Sequence, residues 1–142
     1  MSTITQSNNT RNQLFSAYDF SKIFLFDNKY RKVSIAASGA DVTITAGELI
    51  GIVSTVYQPY DSTTSNIRLV GIAAETITIS DGDSADVLIC ISGKVAEDKL
   101  VFNGTDTIDT VVDYKTLREH IESDTLGIEL ASTDELTAAD NV

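Results

Sequence analysis

The sequence predicts a mainly β domain, β-rich α+β in class, with one short helix near its C-terminus. Three observations predict it. Val, Ile and Thr supply 43 of the 142 residues, and branching at Cβ suits all three to a pleated, half-buried surface. Strand-like runs recur about every ten residues and are parted by turn residues, not helices, which points to a sandwich, barrel or compact meander. Only VDYKTLREHIESD carries apolar residues at helical spacing.

The elements follow in order. Residues 1–13 are rich in Ser, Thr, Asn and Gln and poor in apolar anchors, which predicts a mobile arm in the free protein. In FSAYDFSKIFLF, residues 22–26 are expected as a strand buried in the core. For Phe15, Tyr18 and Phe20, a surface awaiting a partner stands level with a core role. Asn28 punctuates, and KYRKVSIA then alternates Tyr30 and Lys32 against Arg31, Val33 and Ile35. DVTIT sets Val42 and Ile44 on one face before the turn at Ala46-Gly47. LIGIVSTVY reads as one long apolar run whose ladder stops at Pro59. DSTTSN is a polar loop, and IRLVGIAA, TITIS and ADVLICIS are further strands with a turn at Ser80–Asp83. Ile72, Ile89 and Leu117 are assigned to the core.

The helix places Tyr114, Leu117, Arg118 and Ile121 on one face. Asp113 or Thr110 could cap it, and Thr116 with Glu119 also has capping-box spacing. Gly127 ends it, and IELA forms a last strand before the acidic tail. The expected organisation is an arm over residues 1–20, a β-rich body over 21–131 and a tail over 132–142.

Charge and composition exclude several functions. The net charge is −11, distributed as +3 over residues 1–40, −5 over 41–96 and −9 over 97–142. Such a chain repels nucleic acid, so no nucleic-acid partner is expected. No apolar run approaches the roughly 18 residues of a membrane span, and MSTITQSNNT lacks the order of a signal peptide. The lone Cys90 closes no internal disulfide; within VLICI it reads as a buried small hydrophobe.

Catalytic patterns fail in turn. His120 beside Glu119 reads as a solvated histidine on the helix surface, and G-x-S-x-G has no match. Asp81, Asp83 and Asp86 resemble the front of a calcium loop, yet Asp86 and Ser92 stand where that loop wants Gly and Glu. An acidic turn is the better assignment. Gly47, Gly51, Gly71 and Gly93 are isolated and make no phosphate loop. No catalytic residue, metal ligand or cofactor is expected, so the chain is not expected to be an enzyme. Tyr57 and Tyr60 around Pro59 could supply a sugar-stacking face, which keeps a glycan-binding or fibre-base module as the alternative.

One further pattern spans the middle of the chain. Val70-Gly71-Ile72-Ala73-Ala74 precedes an acidic turn at Asp81–Asp86, an apolar strand at Val87–Ile91, and then Gly93, Val95, Glu97, Asp98 and Leu100. Upstream stand Ala46-Gly47 and Leu49-Ile50-Gly51; downstream, Leu117–Ile121 runs into Leu126-Gly127-Ile128. Over about residues 40–130 this order resembles the head decoration proteins of lambda-like phages. Segment 15–36 is longer than the family's usual approach to its first motif, and the tail is an extension.

The resemblance implies a compact β-sandwich or barrel-like domain of the β-tulip type. It also implies a non-enzymatic virion protein on the outer capsid surface, present in the host cytoplasm during assembly. Its partners would be the major capsid protein and two further copies of itself in a trimer. The capsid-binding arm would then include Thr3, Ile4, Thr5, Leu14 and Phe15, with Tyr18 and Phe20 as a possible interaction surface. Thr3-Ile4-Thr5 is suited to add a strand to an exposed sheet edge.

Overall fold

A long strand without a partner exposes its backbone, and the two longest strands here pair with each other, the later one gaining partners on both edges. The computed structural model describes residues 23–131. Strand β1 (Phe24–Ala36) runs antiparallel to β7 (Ser84–Ala96) over nearly its whole length. The other edge of β7 is shared: β5 (Arg68–Ala73) takes Ile89 and Cys90, and β10 (Ile128–Ala131) takes Gly93 to Ala96 in parallel. Next to β5 lie β3 (Leu49–Val53) and then β4 (Val56–Pro59), giving the order β1-β7-β5-β3-β4 with β10 on β7. The outer strands β1 and β4 also contact each other, so the sheet is strongly curled. Two ribbons complete the fold, β2 (Val42–Ile44) with β6 (Ile77–Ile79) and β8 (Val111–Val112) with β9 (Lys115–Thr116). Helix α1 (Leu117–Asp124) connects β9 to β10. Among the described residues the fold is mainly β with one α-helix near the C-terminal end, as the composition predicts.

The sheet is buried on both faces, which explains why VLICI and LIGI are continuously apolar instead of alternating with polar residues. On one face Val33, Ile35, Ile50, Val87 and Ile89 meet Ile44 and Ile79 of the β2–β6 ribbon. On the other, Leu49, Ile72, Cys90 and Val95 meet Leu117 and Ile121 of α1 and Ile128 of β10. Ile72, Ile89 and Leu117 are each at most 1% exposed, in agreement with their assignment to the core.

Four local expectations change. LIGIVSTVY is a hairpin, not one strand: the chain turns at Ser54-Thr55, with Ser54 at φ 57°, and Val53 faces Val56. Pro59 is the last residue of β4, at the outer position of the sheet path, and the β3–β4 ladder ends there as expected. Residues 24–26 and 29–36 are one strand with a bulge between them, and Phe26 is exposed where a buried strand was expected. The helix begins at Leu117, because Thr116 and Glu119 form the capping box; neither Thr110 nor Asp113 caps it. Tyr114 accordingly lies in the β8–β9 turn, fully exposed and off the helical face.

The expected arm over residues 1–20, including Thr3, Ile4, Thr5, Leu14, Phe15, Tyr18 and Phe20, lies outside the described residues, as does the tail over 132–142.

Candidate interaction surface

The most distinctive surface is built by a defect in the longest strand pair. Along β1, Phe26 faces Lys94 and Lys29 faces Ser92, but Tyr30 faces Cys90, so the ladder slips between them. Asp27 adopts φ 53° and Gly93 opposite adopts φ 104°. A Cβ on Gly93 would stand 2.6 Å from the Asp27 carbonyl oxygen and 2.7 Å from Asn28 Cα. Only glycine admits that approach. The Asn28 amide fills the gap in the ladder: Nδ2 donates to the Lys94 carbonyl at 3.1 Å and reaches the Ser92 carbonyl at 3.5 Å. The Cys90 thiol donates to the Ser92 carbonyl at 3.1 Å, and burial pushes its pKa up against the smaller opposing pull of Asn28 and Ser92. A protonated, buried thiol packs; it does not attack.

A bulge bends its strand and re-aims side chains. Here Phe26 is turned outward to 74% exposure. Across β7, the turn from α1 to β10 presents Leu126 at 76% exposure. That turn is tied down locally. Thr125 Oγ1 donates to the Ile121 carbonyl at 2.6 Å and accepts from the Ile128 amide at 3.1 Å. The Leu126 and Gly127 backbones bond to Ile91 and Gly93 of β7.

Phe26 and Leu126 line a cleft of about 500 Å³ with Lys29, Lys94 and Glu129. Leu126 is also a wall of a second cleft, about 240 Å³, lined by Arg31, Arg68 and Asp124 among others. Among the described residues none of Lys29, Arg31, Arg68 and Lys94 is paired with a carboxylate. Two exposed apolar side chains thus stand among Lys29, Arg31, Arg68 and Lys94, with Asp27, Asp124 and Glu129 in the same linings. The linings are close to charge-balanced, so what sets this surface apart is its pair of exposed apolar side chains.

The second exposed apolar feature is the β8–β9 hairpin. Asp113 and Tyr114 both have positive φ, 50° and 68°, the two-residue turn whose twist matches a hairpin but which usually takes Asn or Gly. Tyr114 and Val111 project from it into solvent. His120 holds the hairpin to the helix, and its side chain is only 11% exposed, not solvated as the sequence suggested. Nε2 lies 2.6 Å from the Val112 carbonyl and Nδ1 lies 2.8 Å from Asp124 Oδ2. Both partners are acceptors, so only the doubly protonated ring satisfies both. Burial pulls its pKa down, but the Val112 and Asp124 hydrogen bonds and the Asp124 charge outweigh it, so the net shift is upward from 6.5.

A raised pKa stabilises the fold fully below the unfolded value and loses that contribution as pH rises through the folded value. The wild-type melting temperature is therefore expected to fall relative to that of His120→Gln between about pH 6 and pH 8. Parallel melting curves across that window would argue against the clamp.

The remaining sequence candidates resolve simply. Tyr60 is buried and Tyr57 half-buried, so they do not form an exposed stacking pair. Asp81 accepts from the Gly39 amide at 2.8 Å and ties two loops together. No group of three or more His, Cys, Asp or Glu among the described residues is arranged to hold a metal ion. The surface residues Phe26, Lys29, Lys94 and Leu126 were missed by sequence. The available signal was the polar pair Asp27-Asn28 interrupting an apolar run, which with a lone glycine in the partner strand marks a bulge.

No protein-family model matches the chain, and no curated protein matches it.

Proposed function

We propose that this chain is a structural virion protein that binds the outer surface of an expanded phage capsid and stabilises it against the pressure of packaged DNA. It does so as a trimer at three-fold and quasi-three-fold positions. The observation that carries this reading is where the leader departs. The Ile23 carbonyl accepts from the Ala96 amide at 2.7 Å, and β10 ends with Ala131 opposite the same Ala96. Ile23 and Ala131, the two ends of the described residues, therefore lie at one rim, flanking the end of the central strand. Strand β1, which the leader precedes in sequence, has β7 as its only ladder partner among the described strands.

Adding a strand to a shell edge gains backbone hydrogen bonds, while ordering costs about 1–2 kcal/mol per residue. One leader binds weakly. Three leaders on a symmetric trimer raise avidity by about 10²–10⁴ through effective concentration. Separating capsomers would then require breaking these contacts.

Cosedimentation with expanded and unexpanded shells, combined with light scattering of the free protein, tests the proposal. Saturable binding to expanded shells in multiples of three copies is expected. Binding that does not saturate, or a stoichiometry without three-fold multiples, would count against it.

A further inference from the structure

We infer that the β8–β9 hairpin is a second contact to the shell, carried by the body, in which Tyr114 enters an apolar pocket of the shell protein rimmed by cations. This rests on the capsid reading and adds to it a contact that the leader does not make. Tyr114 is a residue the fold does not use. It is 101% exposed, so none of its side chain is buried in its own chain. It also stands at φ 68°, a left-handed backbone that an L side chain resists and that a bulky residue rarely adopts. Glycine would suit this turn position better. Strain of this kind clusters where a site is built.

The mount of the hairpin is firm. Val111 pairs with Thr116 and Val112 with Lys115. The Leu117 amide donates to the Thr110 carbonyl at 2.8 Å and the Arg118 amide to the Ile108 carbonyl at 3.0 Å. Ile108 and Val112 pack on the core cluster that contains Leu117 and Ile121. An aromatic side chain on a braced turn loses little freedom on docking, which is the property of an anchor. Its surroundings are acidic: residues 106–116 hold Asp106, Asp109 and Asp113 against Lys115, and Arg118 is engaged by Glu97 and Asp109. Burial raises the Tyr60 pKa, and the charges of Asp106, Asp124, Asp113 and Asp61 raise it further, with no cation among the described residues acting against them. Such a field suits a cationic rim. The Arg118–Glu97 ion pair sets the start of α1 beside the residue that follows Ala96, whose amide bonds to Ile23. The hairpin is therefore mounted at the end of β7 where the described chain begins.

Cosedimentation of full-length variants with expanded shells of lambda-like phages is the test. Tyr114→Gly is expected to weaken binding at least about tenfold, as loss of an anchor does. The free variant should melt no lower than the wild type, because relief of the left-handed strain offsets the added freedom of its unfolded chain. Tyr114→Phe keeps the apolar ring and should bind within about threefold of the wild type. Asp113→Asn, which still tolerates the turn, should weaken binding at about 0.05 M salt and lose that effect at about 0.5 M. If the wild type binds and Tyr114→Gly binds equally, the inference falls while the capsid reading stands; no binding by the wild type removes both. A lower melting temperature for Tyr114→Gly would show that the ring serves the fold. A loss for Tyr114→Phe as large as that for Tyr114→Gly would show a contact made through the hydroxyl. Either result overturns the inference.

Discussion

Ile89→Ala is expected to lower the unfolding free energy by about 2–5 kcal/mol, the range of large-to-small changes in a rigid core. Ile89 is 1% exposed and sits on the strand that joins the two halves of the sheet. On one side it faces Arg31 of β1 and on the other Ala73 of β5. Its side chain packs in the cluster containing Val33, Ile35, Ile50 and Val87, beneath the β2–β6 ribbon. A strand held on both edges has little freedom to move into the cavity left by the lost atoms, so relaxation recovers little. Denaturant titration measures the loss as a shift in midpoint with an unchanged slope. A loss below about 0.5 kcal/mol, the level of ordinary surface changes, would show that this face of β7 is not the core.

The second large effect belongs to the bulge. Gly93→Ala is expected to cost about 2–4 kcal/mol, combining a left-handed backbone with overpacking against a neighbouring main chain. Neither of the nearest contacts, the Asp27 carbonyl and Asn28 Cα, is the end of a flexible side chain that could swing away. Gly82→Ala provides the comparison. Its φ is 87°, similar to that of Gly93, but a Cβ there meets nothing within 4 Å. It isolates the conformational part, about 1–2 kcal/mol. The difference between the two variants is the energy of the close β1–β7 approach that turns Phe26 outward. Equal costs for the two would mean that the strands part easily and that Phe26 is not held in place by the bulge.

The fold class was legible because it rests on composition and on the spacing of turn residues, both of which are local. The core assignments of Ile72, Ile89 and Leu117 were legible for the same reason. Where the chain departs from expectation, a distant residue decides. Phe26 looks like the end of a buried apolar run until Gly93, far along the chain, allows the bulge that re-aims it. Tyr114 fits the helical face by spacing, but the reciprocal Thr116–Glu119 cap starts the helix after it. His120 looks solvated beside Glu119, and only the approach of Val112 from the hairpin covers it. The interaction surface was invisible for a related reason: Phe26 and Lys29, Lys94, and Leu126 come from three separate segments joined only by strand pairing.

We propose attachment of this small β-rich body to a protein shell through its leader, multiplied by symmetry. The most direct measurement compares the full chain with a variant lacking residues 1–20 for binding to expanded shells of lambda-like phages. The full chain is expected to bind saturably, and removal of the leader should weaken binding by at least about 10²-fold, the avidity that symmetric tethering supplies. Equal affinity of the two forms, or no binding by either, would contradict it.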